Sequence, residues 1–534
     1  MNLTLAGIKE THKWEAAGIR LPKYDVNAMR SKTKENPTWI HFGVGNIFRI
    51  FLGGVAEDLL EAGLMETGIT CVETFDEEII DNIYVPYDNL VLSIMLKPDG
   101  GTDKRILASL AESLKNNRAR LAEIFSNPSL QIASFTITEK GYSLKDAKGF
   151  YFPWIKDEIK AGPAHATTAM GIITANLYQR FLAGESPMAV VSMDNCANNG
   201  DVLKNAVITM SSEWQARGFV EASFLDYLNN EEKVSFPYTM IDKITPQPAE
   251  EIADDLAEIG IEKMNPIITE KRTFIAPFVN AELPQYLVIE DKFPNGRPEF
   301  EKIGSGVYLT DQETVSKVER MKVTTCLNPL NTALAVYGCL LGYTLIADEM
   351  RDEQLKKLVW QIGPVEGMPV VCNPNILSAE DFVHEVINVR LPNPFIPDTP
   401  QRIVIDTSQK VGIRFGETIK SYMKKYGDAK KLKAIPLAVA GWCRYLLAID
   451  DEGNPFELAD DPMLEDLTAI VADVKIGKSA TYQGQLKPLL SNSNIFGVNL
   501  YEAGLGKFIE ELFVEMIWGV GAVRATLVKH VGQD

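Results

Sequence analysis

The chain has 534 residues, 46% hydrophobic and 23% charged, which is ordinary globular composition with enough apolar residues for more than one core. Its formal net charge of −19 opposes phosphate backbones and anionic lipid, and so excludes a general nucleic-acid or membrane-surface role. Six scattered cysteines form no CxxC, and five histidines form no HxxxH or HExxH, so neither a disulfide framework nor a metal site is expected. No apolar run reaches the ~18 residues of a spanning helix, and the N-terminus lacks the apolar core of a signal peptide. A soluble cytoplasmic protein is the expectation.

In chain order, residues 1–37 are polar, contain Pro22 and Pro37, and read as an irregular lead-in. From Thr38 the pattern alternates between strand and helix. Trp39 to Phe42 is a strand ending in a glycine turn, and Ile47 to about Ala62 is a helix closed by Gly63. Further strands are predicted at 69–72, 90–95, 131–138 and 188–193, with helices at 104–127, 166–183, 200–216 and 220–229. This is an α/β pattern, a Rossmann-type doubly wound sheet over residues 38–300. After about residue 300 long helical stretches dominate, at 311–346, 348–361, 379–390, 411–425, 430–449, 458–475 and 501–529. Residues 301–534 therefore read as a mainly α-helical C-terminal domain.

The turn Gly43-Val44-Gly45 follows a strand and opens a helix, the setting of a dinucleotide loop. One glycine makes the tight turn, and the other lets a pyrophosphate approach the helix N-terminus. Phe48 stands where the third glycine of the usual fingerprint would be, and the same residues also fit an ordinary strand–helix turn. The second strand ends at Glu73, with Asp76 close behind. Carboxylates there accept hydrogen bonds from ribose hydroxyls and repel a 2′-phosphate. No lysine or arginine occurs between Gly54 and Lys97, which favours NAD over NADP. The acidic residues also fit a solvated helix start.

Transferring a hydride from an alcohol to NAD needs a base for the hydroxyl proton and donors for the developing alkoxide. Without a metal, Lys322 followed by Asn328 and Asn331 in an apolar run fits that need. A lysine on an apolar wall can act as a base. Asparagines three apart face the same way on a helix. Pro329 suits a helix starting there with Asn328 as its N-cap. A plain helix cap beside a solvent-reaching lysine is the other reading of these residues.

Seven blocks in order now resemble the long-chain polyol dehydrogenase family, the group of mannitol 2-dehydrogenase and of mannonate (fructuronate) and altronate (tagaturonate) reductases. They are Leu21–Asp25, His41–Arg49, Thr136–Tyr142, Ser192–Asn195 with Asn199-Gly200, Phe236-Pro237 with Met240–Pro246, Glu319–Asn331, and Asp406–Lys410. The resemblance implies Lys322 as general base and acid, Asn195 and Asn328 as donors to the reacting oxygen, and Glu319 on a proton path. It implies Arg402 and Lys410 as ligands of substrate hydroxyls or of a carboxylate. Gly43, Gly45, Asn46, Ile47, Arg49, Glu73, Asp76, Glu139 and Asp242 form the expected cofactor set, the role of Asp242 within the cleft being open.

Two departures stand out. The family places asparagine five and histidine eight positions after the lysine; here Asn328 is six and Asn331 nine positions after it. Asn331 thus takes the histidine position and cannot titrate. The expectation is an NAD-dependent, metal-independent enzyme, monomer or homodimer. It would interconvert alcohol and ketone on a C5–C6 polyol or sugar acid, of the mannitol/fructose or mannonate/fructuronate type. A sugar-phosphate polyol dehydrogenase, or an NAD-binding protein with impaired catalysis, is the alternative.

Overall fold

The computed structural model describes residues 1–531 apart from Pro98, Ala147 and Ser305. The chain forms two compact units, Met1–Ser316 and Lys317–Asp534. The first is built on six parallel strands: β1 (Trp39–Phe42), β2 (Ile69–Val72), β3 (Leu110–Leu114), β4 (Ile132–Phe135), β5 (Met188–Ser192) and β6 (Val234–Ser235). Their spatial order is β3-β2-β1-β4-β5-β6. The order reverses between β1 and β4, the switch point of a doubly wound sheet, where ligands bind beyond the strand C-termini.

Every residue of β1, β2, β4 and β5 is buried. Helices cover both faces of such a sheet, so its strands read as continuous apolar runs. Successive β1 side chains go to opposite cores. Trp39 packs with Phe48, Ile69 and Ile132, while Ile40 and Phe42 pack with Phe125, Ala133 and Phe135.

Three expectations change. The lead-in is not irregular: it holds helices Thr11–Ala16 and Val26–Glu35 and a short strand, Ile19–Arg20. The strand expected at 90–95 exists as Val91–Leu96 but lies outside the six-stranded sheet. It pairs antiparallel with Thr102–Leu107 and parallel with Phe278–Glu282. The helix expected at 104–127 is confined to Arg118–Ser126, the rest being strand Thr102–Leu107 and β3. Long-range pairing overrides local propensity there. Charged side chains of the strand pair with distant residues: Asp103 with Arg20 at 3.1 Å, and Arg105 with Asp58.

The second unit is helical. Ala434–Tyr445 is buried along its whole length and packs on Asn328–Leu341 and Gly506–Met516. The stretch expected as one helix over 311–346 is broken into Gln312–Met321, a π-helical turn at Lys322–Cys326, Asn328–Leu341 and Ile346–Glu349. Among the described residues no helix is long and apolar enough to cross a membrane.

A buried carboxylate joins three segments of the first unit. Glu57 lies on helix Gly53–Glu61 and is 0% exposed. Its Oε2 accepts from Tyr24 Oη at 2.9 Å and from the N–H groups of Ala108 and Ser109 at 2.7 and 2.9 Å. Burial pushes its pKa up to about 7, against these stabilising hydrogen bonds. A carboxyl whose folded pKa is raised favours the folded state fully below its unfolded value and loses that contribution as pH rises through the folded value. The melting temperature of wild-type protein relative to Glu57→Gln should therefore fall between about pH 4.5 and pH 7 and flatten above. Calorimetry of both proteins across that range checks this, since ~1 kcal/mol moves Tm by about 2–4 °C in a domain of 150–250 residues. A pH-independent difference would show that Glu57 does not titrate there.

Candidate functional site

The glycine turn leaves β1 at the switch point. Gly43 has φ +94°, and a Cβ there would stand 2.1 Å from the Thr136 carbonyl oxygen, so only glycine fits. Gly45 is different: a Cβ there would meet nothing within 4 Å. The space beside Gly45 is open, and Gly45, Asn46 and Ile47 are half-exposed. Arg49 N–H donates to Gly45 O at 3.2 Å, so the helical segment begins at this turn and its first N–H groups lack intrahelical partners. An open cradle at a helix N-terminus suits a dinucleotide pyrophosphate.

The turn is held from beneath. Trp39 Nε1 donates to Ser134 Oγ at 2.7 Å, and His41 Nδ1 lies 2.6 Å from the same oxygen. The Thr136 hydroxyl donates to the Gly43 carbonyl at 3.4 Å and so accepts from the ring, which leaves Nδ1 to accept from the Ser134 hydroxyl. The ring then carries its proton on Nε2, which donates to Thr136 Oγ1 at 2.8 Å. Burial holds the His41 pKa well below the usual imidazole range. The neutral ring stacks on Phe48 with centroids 4.0 Å apart. Tyr84 Oη donates to Val44 O at 2.9 Å.

Three members of the expected cofactor set are engaged inside the protein instead. Glu73 Oε1 accepts from the N–H groups of Thr74, Phe75 and Asp76 at 3.0, 2.7 and 3.1 Å, and Oε2 accepts from Val44 N–H at 3.2 Å. Three of these bonds share Oε1 and one reaches Oε2, so Glu73 ties the glycine turn to the end of β2. Asp76 is 2% exposed and accepts from the hydroxyls of Thr269 and Thr273, both at 2.6 Å. Arg49 is 0% exposed and donates to the carbonyls of Ala276 and Pro277 at 2.7 and 3.0 Å, which removes it from any ligand. The charge argument against a 2′-phosphate also changes in three dimensions. Lys271, distant in sequence, donates to the Phe75 carbonyl with Nζ 4.4 Å from the exposed Phe75 ring.

Glu139 and Asn195 are both exposed, on the segments that follow β4 and β5. A residue absent from the sequence-based set orders them. Asp194 accepts from the N–H groups of Ile137 and Thr138 at 2.8 and 3.0 Å and from Tyr142 Oη at 2.6 Å. It thereby fixes Thr138 at φ +64°. Asp242 is 6% exposed at the end of strand Thr239–Asp242, opposite Tyr286 and outside the six-stranded sheet.

In the second unit Lys322 is 3% exposed and starts the π turn Lys322–Cys326, closed by Leu327 N–H donating to Lys322 O at 3.1 Å. Such a turn holds one residue more than an α-helical turn, and this one lies between Lys322 and the helix of the asparagines. Helix Asn328–Leu341 follows, with Leu327 rather than Asn328 in the cap position and no side-chain cap. Asn328 and Asn331 are half-exposed on its first turn. Glu319 is half-buried on the preceding helix Gln312–Met321.

Lys410 donates to the Ile405 carbonyl. Burial first, and then the charge of Arg414, hold its pKa below the usual lysine range. Arg402 faces outward, its side chain 69% exposed, and Nε and Nη2 donate to the two oxygens of Asp398 at 2.8 Å each. That bidentate pair takes up Nε and Nη2. Arg414, which no motif singled out, reaches the helix of the asparagines: its Nη1 donates to Thr332 Oγ1 at 2.6 Å.

The mannitol dehydrogenase Rossmann domain model matches residues 37–302, and the mannitol dehydrogenase C-terminal domain model matches residues 314–515. The D-mannonate oxidoreductase of Thermotoga maritima is 53% identical over the full length of both chains. The D-mannonate oxidoreductase of Escherichia coli is 30% identical, covering 90% of this chain and 92% of its own. The mannitol 2-dehydrogenase of Pyrenophora tritici-repentis is 29% identical, covering 89% and 78% respectively. Among solved structures, Pseudomonas fluorescens mannitol 2-dehydrogenase in a ternary complex with NAD and D-mannitol aligns over 100% of both chains, with a TM-score of 0.70 and 26% identity. A substrate-free D-sorbitol dehydrogenase, 24% identical, shares the fold over 96% of this chain and 99% of its own, with a TM-score of 0.78.

The two glycines of the turn should fail in different ways. Gly45→Ala places a methyl in open space. It should keep the wild-type melting temperature and weaken NADH binding tenfold or more, about 1.4 kcal/mol, as read by fluorescence titration. Gly43→Ala should lose ~2 kcal/mol or more of stability in denaturant melts, from the left-handed backbone and the carbonyl clash. Equal stability of the two variants would mean that Gly43 is not the constrained residue.

Proposed function

The chain belongs to the mannitol dehydrogenase family, and from that premise we propose that it is an NAD-dependent D-mannonate oxidoreductase, interconverting the sugar acid and its ketone fructuronate with Lys322 as general base and acid. The observation that carries the substrate is 53% identity, end to end, with a D-mannonate oxidoreductase, against 29% with a mannitol 2-dehydrogenase. The open cradle at Gly45 and the helix N-terminus behind it support NAD as the cofactor.

The chemistry divides simply among the residues. Bound NAD supplies the hydride acceptor for oxidation, and its reduced form the donor for reduction. As the secondary alcohol loses its C–H hydride, its hydroxyl proton passes to the unprotonated Lys322 Nζ and the C–O bond becomes C=O. In reduction the Lys322 ammonium returns that proton to the ketone oxygen. The carboxamides of Asn328 and Asn331, three apart on one helix face, donate hydrogen bonds to the developing alkoxide. Neither amide titrates, so the proton change falls on Lys322, with Glu319 one turn earlier on the path to solvent. This assignment is metal-independent: lysine takes the proton and amides hold the charge.

Wild-type protein with NADH should reduce fructuronate in preference to fructose, tagaturonate and fructose 6-phosphate, followed at 340 nm. Preference for one of the other three would replace the substrate. Lys322→Ala should lower kcat by about 10²–10⁴-fold, the usual range for losing a general acid–base, while the Kd for NADH stays within about twofold. Retained turnover would sink the lysine assignment.

A further inference from the structure

We propose that Arg414, aided by Lys410, is the anion anchor of the helical unit and takes the carboxylate of a sugar-acid substrate. This inference rests on the mannonate reading above and names the residue that would make the site select an acid over a neutral polyol.

Placement comes first. Arg414 sits midway along the π turn Gly412–Gly416, which packs on the Lys322–Cys326 turn and on helix Asn328–Leu341. Gly412 and Gly416 press against backbone. A Cβ at the first would be 2.6 Å from Ile495 O, and at the second 1.9 Å from Phe496 O. A residue midway between two positions on one face of a helical turn points to the opposite face. Arg414 is therefore turned away from residues 495–496 and toward the asparagine helix. There it donates to Thr332 Oγ1, whose own hydroxyl donates to Asn328 O at 2.9 Å.

Chemistry separates this half-buried arginine from the fully buried Arg180, Arg444 and Arg49. Arg180 donates to five carbonyls, those of Phe125, Asn127, Leu130, Ser186 and Pro187. Arg444 donates to three, and Arg49 to two. Those guanidiniums are structural connectors that each bridge two or more backbone carbonyls. Arg414 has one neutral hydroxyl, and among the described residues no carboxylate pairs with it. Burial alone lowers its pKa, to about 10, with no acidic neighbour opposing the shift. A desolvated cation without a counter-charge is unfavourable until an anion arrives.

The neighbouring charges agree. Lys410 lies one turn back and is repelled by Arg414 and, more weakly, by Arg402. Asp406 and Asp461 attract Lys410. Asp461 is already occupied, accepting from Ser408 N–H at 2.8 Å and Ser408 Oγ at 2.5 Å. Two cations are thus held together beside the turn of Lys322, within a chain of net charge −19. A planar guanidinium offers a carboxylate a fork of parallel donors, which suits an acid better than a hydroxyl.

The test uses full-length enzyme with NADH and compares fructuronate with fructose. Arg414→Gln keeps a donor for Thr332 and removes the charge. It should raise KM for fructuronate about 10- to 100-fold, with a smaller change in kcat, and leave fructose kinetics within about threefold. Arg414→Lys should keep most of the acid affinity, and melting temperatures should match wild type. An unchanged fructuronate KM in Arg414→Gln, or an equal loss on both ketoses, overturns the anchor. Wild-type enzyme that reduces fructose but not fructuronate overturns the mannonate reading itself, before any variant is compared.

Discussion

The approach of Gly43 to the Thr136 carbonyl, too close for any Cβ, is the contact on which the nucleotide unit depends. It brings the ends of β1 and β4 together at the place where the strand order reverses. The turn cannot relax there, because Glu73 grips it from β2 through Val44 N–H and the His41–Ser134–Thr136 chain supports it from below. A loop made rigid before the cofactor arrives loses little conformational entropy on binding. The open side of Gly45 is the part of the turn left for a ligand.

The same principle runs through the rest of the molecule. Buried charge serves as a connector between segments. Glu57, Glu73, Asp194 and Glu366 each accept from backbone N–H groups, Glu366 from three successive ones at the start of helix Ala434–Tyr445. Arg49, Arg180 and Arg444 each collect carbonyls. Hydrogen bonds to charged groups are stronger than neutral ones, and leaving a buried polar group unmade is costly, so these residues join distant backbone with few atoms. Against that background the half-buried Arg414, with one neutral partner, is conspicuous.

π turns occur at several points in the chain, and some carry or adjoin residues assigned to chemistry. One, Phe48–Leu52, follows the glycine turn; another begins at Lys322; a third carries Arg414. Each adds a residue to a turn and redirects the side chains that follow, a distortion that concentrates at functional sites.

Local pattern was enough for much of this protein. The buried strands, the glycine turn after β1, the helical second half and the ordered blocks around Lys322 are all legible in the sequence, because burial on both sheet faces and helical periodicity leave short-range signatures. The family follows from those blocks, and NAD from the turn and its setting. What the tertiary structure decided is which charged side chains remain available to a ligand. Glu73, Asp76, Arg49 and Arg402 looked like ligands by position, yet each is engaged within the protein. Lys271 and Arg414 looked like nothing in particular. The strand at Thr102–Leu107 forms a hairpin with Val91–Leu96 and is joined on its other edge by the distant Ile19–Arg20. A carboxylate or guanidinium is saturated by groups that sequence distance does not reveal, so its availability is a property of the fold.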